Sequence, residues 1–120
     1  KGWEVCKDYC TKDATFSSHA EALSEINSIE GYSDWMIGIC STMPDSNYEI
    51  KSVTVDIEKK HVSFFAVFSG THLGEGGPVP PTEKYGEVDY VYALEFSEEK
   101  IKHLTKIWNP QHMYKQIGWE

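Results

Sequence analysis

The chain has 120 residues, a formal net charge of −8 and eleven basic residues, all of them lysine. This length predicts one domain with its own hydrophobic core. Arginine is the usual bidentate partner of phosphate and guanine, so its absence, together with the lack of a clustered basic face, disfavours nucleic acid and anionic membranes as partners. No stretch approaches the roughly 18 apolar residues of a membrane span and no signal-type segment opens the chain, which predicts a cytoplasmic protein.

Three cysteines, Cys6, Cys10 and Cys40, are an odd number and lack the CxxC spacing of a zinc site. Cys6 and Cys10 stand four apart on a predicted helix, where both side chains lie on one face and a disulfide would strain the helix. Reduced structural thiols are therefore favoured over a redox pair or a nucleophile. No grouping of histidine, cysteine and aspartate has metal spacing, and we expect neither a metal nor another cofactor.

The first third of the sequence has helical periodicity. Ser18 and Glu21 have the form of a capping box, and Gly31 and Pro44 are stop signals. The predicted elements are a helix over residues 3–11, a short extended exit over 12–16, a second helix over 18–31 and a third over 33–44.

From Tyr48 onward the apolar period changes to two, which is typical of strands. Glycine and proline punctuate residues 74–81 at almost every step and predict an exposed loop of functional length. The predicted strands cover residues 53–57, 62–68, 88–96 and 101–108, with turns at 58–60 and 97–100. Helices followed by a strand meander predict an α+β fold, in which N-terminal helices pack on the concave face of a curved antiparallel sheet of about four to six strands.

One face of this predicted sheet is aromatic and carries a single charge. By the two-residue period it contains Phe64, Ala66, Phe68, Tyr90, Tyr92, Leu94, Leu104, Lys106 and Trp108. Trp35 and Met36 on the third helix are expected to cover it. The pattern describes either a plain core or an apolar ligand pocket with one polar anchor, and periodicity alone does not separate the two.

The opposite face of the sheet is also largely apolar. It contains Ser63, Phe65, Val67, Val91, Ala93, His103, Thr105 and Ile107. A patch of this kind on a sheet surface usually marks an interface, so we predict a homodimer through this outer face.

An ordered set of short motifs carries a family resemblance: Gly70-Thr71-His72-Leu73-Gly74, Pro80-Pro81-Thr82, Lys100-Ile101, Trp108-Asn109 and Gln116-Ile117-Gly118. Together they resemble the SnoaL-like polyketide cyclases, a branch of the nuclear-transport-factor-2-like superfamily of cone-shaped proteins. The resemblance implies a single SnoaL-like domain over residues 1–120, an apolar pocket, and the sheet-to-sheet homodimers common in the superfamily. It also implies a further helix before Trp3, so the chain is either a fragment or a cone without part of its lid.

In this family an aspartate on the last strand serves as acid/base in an intramolecular aldol closure, supported by a histidine on the preceding strand. Alignment on the motifs puts Lys106 at the aspartate position and Tyr92 at the histidine position. The resemblance thus makes Lys106 and Tyr92 the catalytic candidates. A desolvated Lys106 could act as a base, as a Schiff-base nucleophile or as a cation that stabilises an enolate, with Tyr92 donating to the same oxyanion. Alternatively Lys106 reaches outward or pairs with a carboxylate, and Tyr92 is packing.

The predicted substrate-binding residues are Trp35, Phe64, Phe68, His72, Tyr90, Leu104 and Trp108. His72 matches a histidine of the family pattern and either shapes the pocket rim or fixes the following loop, which we expect to border the pocket mouth. The resemblance implies a protein that binds or converts an apolar carbonyl metabolite by cofactor-free proton transfer, such as aldol cyclisation, isomerisation or epoxide opening. The alternative is a non-catalytic ligand-binding or dimerisation module that has lost the family acid/base pair.

Overall fold

A computed structural model describes residues 3–120. In chain order the elements are α1 (Trp3–Cys6), a 3-10 turn (Lys7–Tyr9), β1 (Cys10–Ser17), a second 3-10 turn (Glu21–Leu23), α2 (Ile29–Thr42), β2 (Asn47–Asp56), β3 (His61–Thr71), β4 (Tyr85–Ser97), β5 (Lys100–Trp108) and α3 (Pro110–Ile117). Within residues 3–120 no helix combines the length and apolar character needed to cross a membrane.

The five strands form one unclosed sheet in the order β1-β5-β4-β3-β2. Neighbouring strands are antiparallel except for β1 and β5, which run parallel. Helices α2 and α3 cover the same, concave face of this curved sheet. The predicted α+β fold is confirmed.

Strand register confirms which residues share the concave face. Tyr92 on β4 lies between Phe64 on β3 and Lys106 on β5. Ala66, Tyr90 and Trp108 form the next row. The main core, which includes Phe16, Leu23, Ile29, Leu94 and Leu104, packs beneath α2 at the β1 side of the sheet. A smaller core of Met43, Val88, Met113 and Ile117 lies beneath α3.

The second predicted helix is wrong, because residues 18–28 contain only the 3-10 turn Glu21–Leu23. The third is confirmed as α2, which begins earlier than predicted, at Ile29. Ser28 is the actual N-cap, and its hydroxyl accepts a hydrogen bond from the Gly31 amide at 3.0 Å. Ser18 instead donates to the Lys106 carbonyl at 2.8 Å and ties β1 to β5. A good N-cap contributes about 1 kcal/mol, comparable to the cost of one glycine inside a helix, so Gly31 does not stop α2.

The first predicted helix is also too long. Helix α1 ends at Cys6 and Cys10 opens β1, so the two thiols do not share a helical face. The extended exit is a full strand of eight residues that pairs with β5. Burial of Cys10, Ala14 and Phe16 against the main core explains why the chain is extended here. All three cysteines are free.

Helix α3 was absent from the sequence prediction, although its boundaries are marked. Pro110 occupies the first turn, where its missing N–H leaves no helical bond unmade. Gly118 ends the helix in the left-handed conformation with φ of 82°. Met113 and Ile117 face the sheet, which makes α3 the second cover of the concave face.

Strand β2 is an edge strand and differs from the other strands in its burial. All ten of its residues are exposed, and it pairs only with β3. Its apolar side chains include Tyr48, Ile50, Val53 and Val55, which stand beside the concave-face residues of β3.

The outer face of the sheet keeps the apolar row expected from the sequence. Phe65, Val91 and Ile107 are cross-strand neighbours on β3, β4 and β5. Phe65 is 37% exposed and Ile107 is 60% exposed. The homodimer through this face stays a prediction.

Candidate functional site

A cavity of about 660 Å³ lies between the concave face of the sheet and helices α2 and α3. Its wall is mostly aromatic and aliphatic, and it includes seven of the residues predicted from the sequence: Trp35, Phe64, Phe68, Tyr90, Tyr92, Lys106 and Trp108. The strand register brings six of them together on three adjacent strands, while α2 supplies Trp35. Tyr48 and Ile50 of the exposed strand β2 form part of the rim.

Two predicted substrate-binding residues do not line this cavity. Leu104 is buried in the main core, where it packs with Phe16 and Leu94 instead of facing open space. His72 lies at the end of β3, beyond the cavity wall.

Among the residues that the structure describes, Lys106 is the one charged side chain in the cavity wall, and it points inward. The strand alternation of β5 turns its side chain to the concave face, where the residue is only 5% exposed. Its Nζ donates a hydrogen bond to the Tyr32 hydroxyl at 2.9 Å. The alternative in which this side chain reaches outward into solvent does not hold.

Five aromatic rings surround the Lys106 amine. The Trp108 ring is nearest, with 3.8 Å between Nζ and the ring centroid. The rings of Tyr32, Tyr90, Trp35 and Tyr92 follow at 5.1, 5.3, 5.7 and 6.0 Å. Aromatic faces attract a cation, so this cage partly replaces the water that Lys106 has lost.

No carboxylate in the described part of the chain balances this amine. The cavity wall contains neither aspartate nor glutamate, and the ion pairs found among residues 3–120 involve the exposed Lys7 and Lys51. Burial therefore lowers the pKa of Lys106 from 10.5 to about 7, with a smaller opposing contribution from the Cys40 thiol. Near neutral pH a large fraction of this amine is uncharged and can act as a base or a nucleophile.

Tyr32 is a site residue that the sequence analysis missed. Besides accepting from Lys106, its hydroxyl is hydrogen-bonded to the Tyr92 hydroxyl at 2.5 Å. Burial raises the pKa of both phenols, so both keep their protons near neutral pH. The helical spacing from Tyr32 to Trp35 and Met36 could have identified it, but Gly31 was read as the end of a helix.

His72 fixes a loop. It is fully buried, and its Nδ1 accepts hydrogen bonds from Trp119 Nε1 at 2.9 Å and from the Thr82 amide at 3.3 Å. Gly77 lies so close that a Cβ there would stand 3.1 Å from His72 Nε2. None of residues 74–81 lines the cavity, so the prediction that this loop borders its mouth is wrong.

The arrangement brings together an amine with a lowered pKa, two protonated phenols and an apolar space. The amine can accept a proton or attack an electrophilic carbon, and the Tyr92 phenol, which lines the cavity, can donate a hydrogen bond to an oxygen that gains negative charge. The carbon skeleton of a ligand would lie against the aromatic wall. Within residues 3–120, no three histidine, cysteine or acidic side chains come together as metal ligands.

Comparison with known proteins places this geometry in a family. A profile of the SnoaL-like polyketide cyclases matches residues 1–117. A proposed SnoaL-like polyketide cyclase from Jannaschia sp. CCS1 superposes with a TM-score of 0.81 at 17% identity, covering 100% of this chain and 81% of that one. The proposed polyketide cyclase IdmH from Streptomyces antibioticus gives 0.79 at 19% identity, covering 96% and 86%.

A third similar structure is the proposed hydroxylase AclR from Streptomyces galilaeus, with a TM-score of 0.78 and 21% identity over 94% of this chain and 68% of that one. At these identities the structures establish the fold alone. No curated protein matches the chain significantly. Because the family profile spans nearly the whole sequence and the fold agrees with it, the chain belongs to the SnoaL-like polyketide cyclase family.

Proposed function

We propose that the chain binds an apolar carbonyl compound in the aromatic cavity and catalyses cofactor-free proton transfer beside the carbonyl group, as in aldol cyclisation or isomerisation. One observation carries the proposal: an amine, Lys106, is buried in an apolar cavity whose wall holds no carboxylate. Unpaired buried charge is costly and concentrates at functional sites.

In the proposed reaction, Lys106 Nζ removes a proton from the carbon next to the carbonyl group. A general base works best when its pKa is near the working pH, and the pKa of Lys106 is lowered to about 7. The enolate oxygen that forms would accept a hydrogen bond from the phenol of Tyr92, which lines the cavity and stays protonated. Tyr32, hydrogen-bonded to both Nζ and the Tyr92 hydroxyl, would hold these two groups in place. In an isomerisation the ammonium then returns its proton to a carbon of the enolate. In an aldol closure the enolate carbon instead attacks a second carbonyl group of the ligand, and the ammonium protonates the oxygen of that group.

The aromatic cage favours this step. When Lys106 takes up a proton, the new positive charge lies 3.8 Å from the Trp108 ring centroid. A cation at such a face is stabilised by roughly 0.5–2 kcal/mol. Because the charge develops only as the proton moves, this interaction lowers the barrier rather than the energy of the bound ligand.

A second candidate function is a non-catalytic ligand-binding module. Its support is that Lys106 and Tyr92 occupy the positions at which the family resemblance expects an aspartate and a histidine. Such a module would use the same cavity and hold the ligand oxygen by hydrogen bonds from Lys106 and Tyr92.

The test follows hydrogen–deuterium exchange at the α-carbons of 2-decalone and β-ionone in deuterated buffer by NMR, alongside binding measured by tryptophan fluorescence. We expect exchange above the buffer rate, lost in Lys106→Met and kept in Lys102→Met, which removes an exposed lysine from the same strand. Binding without exchange would favour the non-catalytic module. If neither ketone binds, the proposed site is wrong.

We further propose that the protein forms a homodimer through the outer face of its sheet. The row of Phe65, Val91 and Ile107 is neutral in a chain of net charge −8. In a two-fold dimer each residue meets the same surface of the other copy, so a neutral apolar row is the part of an acidic protein that associates with least repulsion.

A further inference from the structure

We propose that Lys106 acts covalently: its amine condenses with an aldehyde or ketone held in the cavity and forms an imine. This inference rests on the proposed carbonyl site and deepens it, because it names the bond by which the carbonyl compound is held. In this scheme Lys106 does not itself remove the proton. It forms a protonated imine with the ligand, and the imine makes the C–H bond on the neighbouring carbon more acidic.

The position of the amine is the first argument. Lys106 Nζ faces the cavity, and Tyr32 is its hydrogen-bond partner among the described residues. A neutral amine keeps a lone pair for attack, whereas an ammonium in an ion pair has none. Every other lysine that the structure describes is exposed, so Lys106 alone among them combines burial with access to a cavity.

Among the described residues, no carboxylate faces Lys106 that would hold it charged near neutral pH. The titratable side chains facing the cavity are thiols and phenols, namely Cys6 from α1, Cys40 from α2, Tyr48 from β2, Tyr90 and Tyr92 from β4 and Tyr114 from α3, with Tyr32 of α2 bonded to Nζ. All of these are neutral when protonated. Burial, the main influence on its pKa, therefore acts without an opposing carboxylate.

The reaction balances with groups already present. The amine attacks the carbonyl carbon, a C–N bond forms, and the oxygen gains a proton while the nitrogen loses one, giving a carbinolamine. The Tyr32 hydroxyl, 2.9 Å from Nζ and bonded to Tyr92, is placed to pass that proton. The carbinolamine oxygen then takes up a second proton, supplied by solvent, its C–O bond breaks and water leaves. The nitrogen keeps its remaining proton, so the product is a protonated imine. Hydrolysis reverses each step.

The cage suits the product as well as the amine. A protonated imine is a planar cation, and here it would lie over the Trp108 ring, whose centroid is 3.8 Å from Nζ. The apolar wall also limits the water available for hydrolysis. A protonated imine acidifies the neighbouring C–H bond, which links this step to the proposed proton transfer.

Reductive trapping tests the inference on the native protein. The probe is 2-naphthaldehyde with sodium cyanoborohydride near pH 7, followed by intact mass and peptide mapping. We expect a naphthylmethyl adduct on Lys106, formed about tenfold or more faster than on any exposed lysine, because the ordinary lysine pKa of about 10.4 leaves very little neutral amine at this pH. Adducts of the aldehyde with the Cys6 or Cys40 thiol are reversible and are not fixed by this reductant.

Variants separate chemistry from binding. Lys106→Met should remove the adduct while Lys102→Met keeps it, and thermal melts check that both are folded. Tyr32→Phe should slow trapping severalfold while naphthaldehyde still binds, as measured by tryptophan fluorescence, because the proton relay is lost and the cavity is kept.

Two outcomes would overturn the inference. One is labelling spread evenly over the exposed lysines; the other is binding of naphthaldehyde without an adduct on Lys106. If ketone exchange still depends on Lys106 in either case, the proposed proton transfer stands and only the covalent step is refuted. Failure of both aldehyde and ketones to bind would overturn the proposed function, and the inference with it.

Discussion

Replacing Lys106 by methionine should stabilise the protein most at low pH. Methionine has a similar length and no charge, so it fills the cage without a desolvation cost. In the folded protein the pKa of Lys106 is lowered to about 7, whereas in the unfolded chain it returns to 10.5. At a pH below both pKa values the lysine is charged in the folded and in the unfolded protein, and the folded protein bears the full cost of burying that charge.

The sign and size of the effect follow from proton linkage. Between the two pKa values the unfolded chain holds a proton that the folded protein has released, so this group makes wild-type stability rise with pH. The slope approaches about 1.4 kcal/mol per pH unit once the pH is well above 7. From about pH 6 to about pH 9 this group therefore raises the free energy of unfolding of the wild type by roughly 2–3 kcal/mol, and Lys106→Met abolishes that increase.

Urea unfolding of wild type and Lys106→Met at these two pH values measures the effect. The stabilisation by methionine should be about 2 kcal/mol larger at pH 6 than at pH 9. All other titratable groups are the same in both proteins, so their contributions cancel in this difference. Lys102→Met, at an exposed position of the same strand, should show no pH-dependent difference from wild type.

A stability difference that does not change with pH would refute the desolvation argument. A methionine variant that is less stable than wild type at pH 6 would also refute it, because the charged lysine would then be a group that stabilises the folded protein. Either result would also remove the basis for treating this amine as neutral near pH 7.

Two further predictions concern the outer face and the loop. Ile107→Lys should convert the predicted dimer to a monomer in sedimentation, whereas Ile57→Lys, at the 85% exposed hairpin tip, should not; a wild-type monomer at micromolar concentration would contradict the dimer. His72→Leu should lower the free energy of unfolding by about 2–4 kcal/mol, because the N–H groups of Trp119 and Thr82 lose their acceptor. A urea midpoint shift no larger than that of the exposed His112→Leu would contradict this role.

The sheet was predictable because its signal is local and repetitive. A side chain in a strand faces one side at every second residue, so assigning Tyr92 and Lys106 to one face required only counting. The same count on β4 and β5 places Tyr90, Tyr92 and Trp108 beside Lys106, which are three of the five rings around its amine. Strand β1 was underestimated because it is an edge strand whose parallel partner lies some ninety residues away in the chain, and no local pattern reports that pairing.

The helical part was harder because cap signals are short and compete. Ser18 and Ser28 are both plausible N-caps by residue type, and only tertiary contacts decide that Ser18 bonds the Lys106 carbonyl. That error hid Tyr32, which lies in the first turn of α2. The depressed pKa of Lys106 was foreseen as a possibility, but its hydrogen bond to Tyr32 depends on how α2 packs on the sheet.

The exposed strand β2 has a consequence for how ligands enter. Its amides are bonded to β3 on one side only and none of its residues is buried, so little free energy is needed to release them to solvent. Tyr48 and Ile50 on this strand form the cavity rim. Among the strands, hydrogen exchange should thus be faster in β2 than in β4 and β5. The cavity opening can widen by local fraying of β2 while the strands that carry Lys106 and Tyr92 stay rigid.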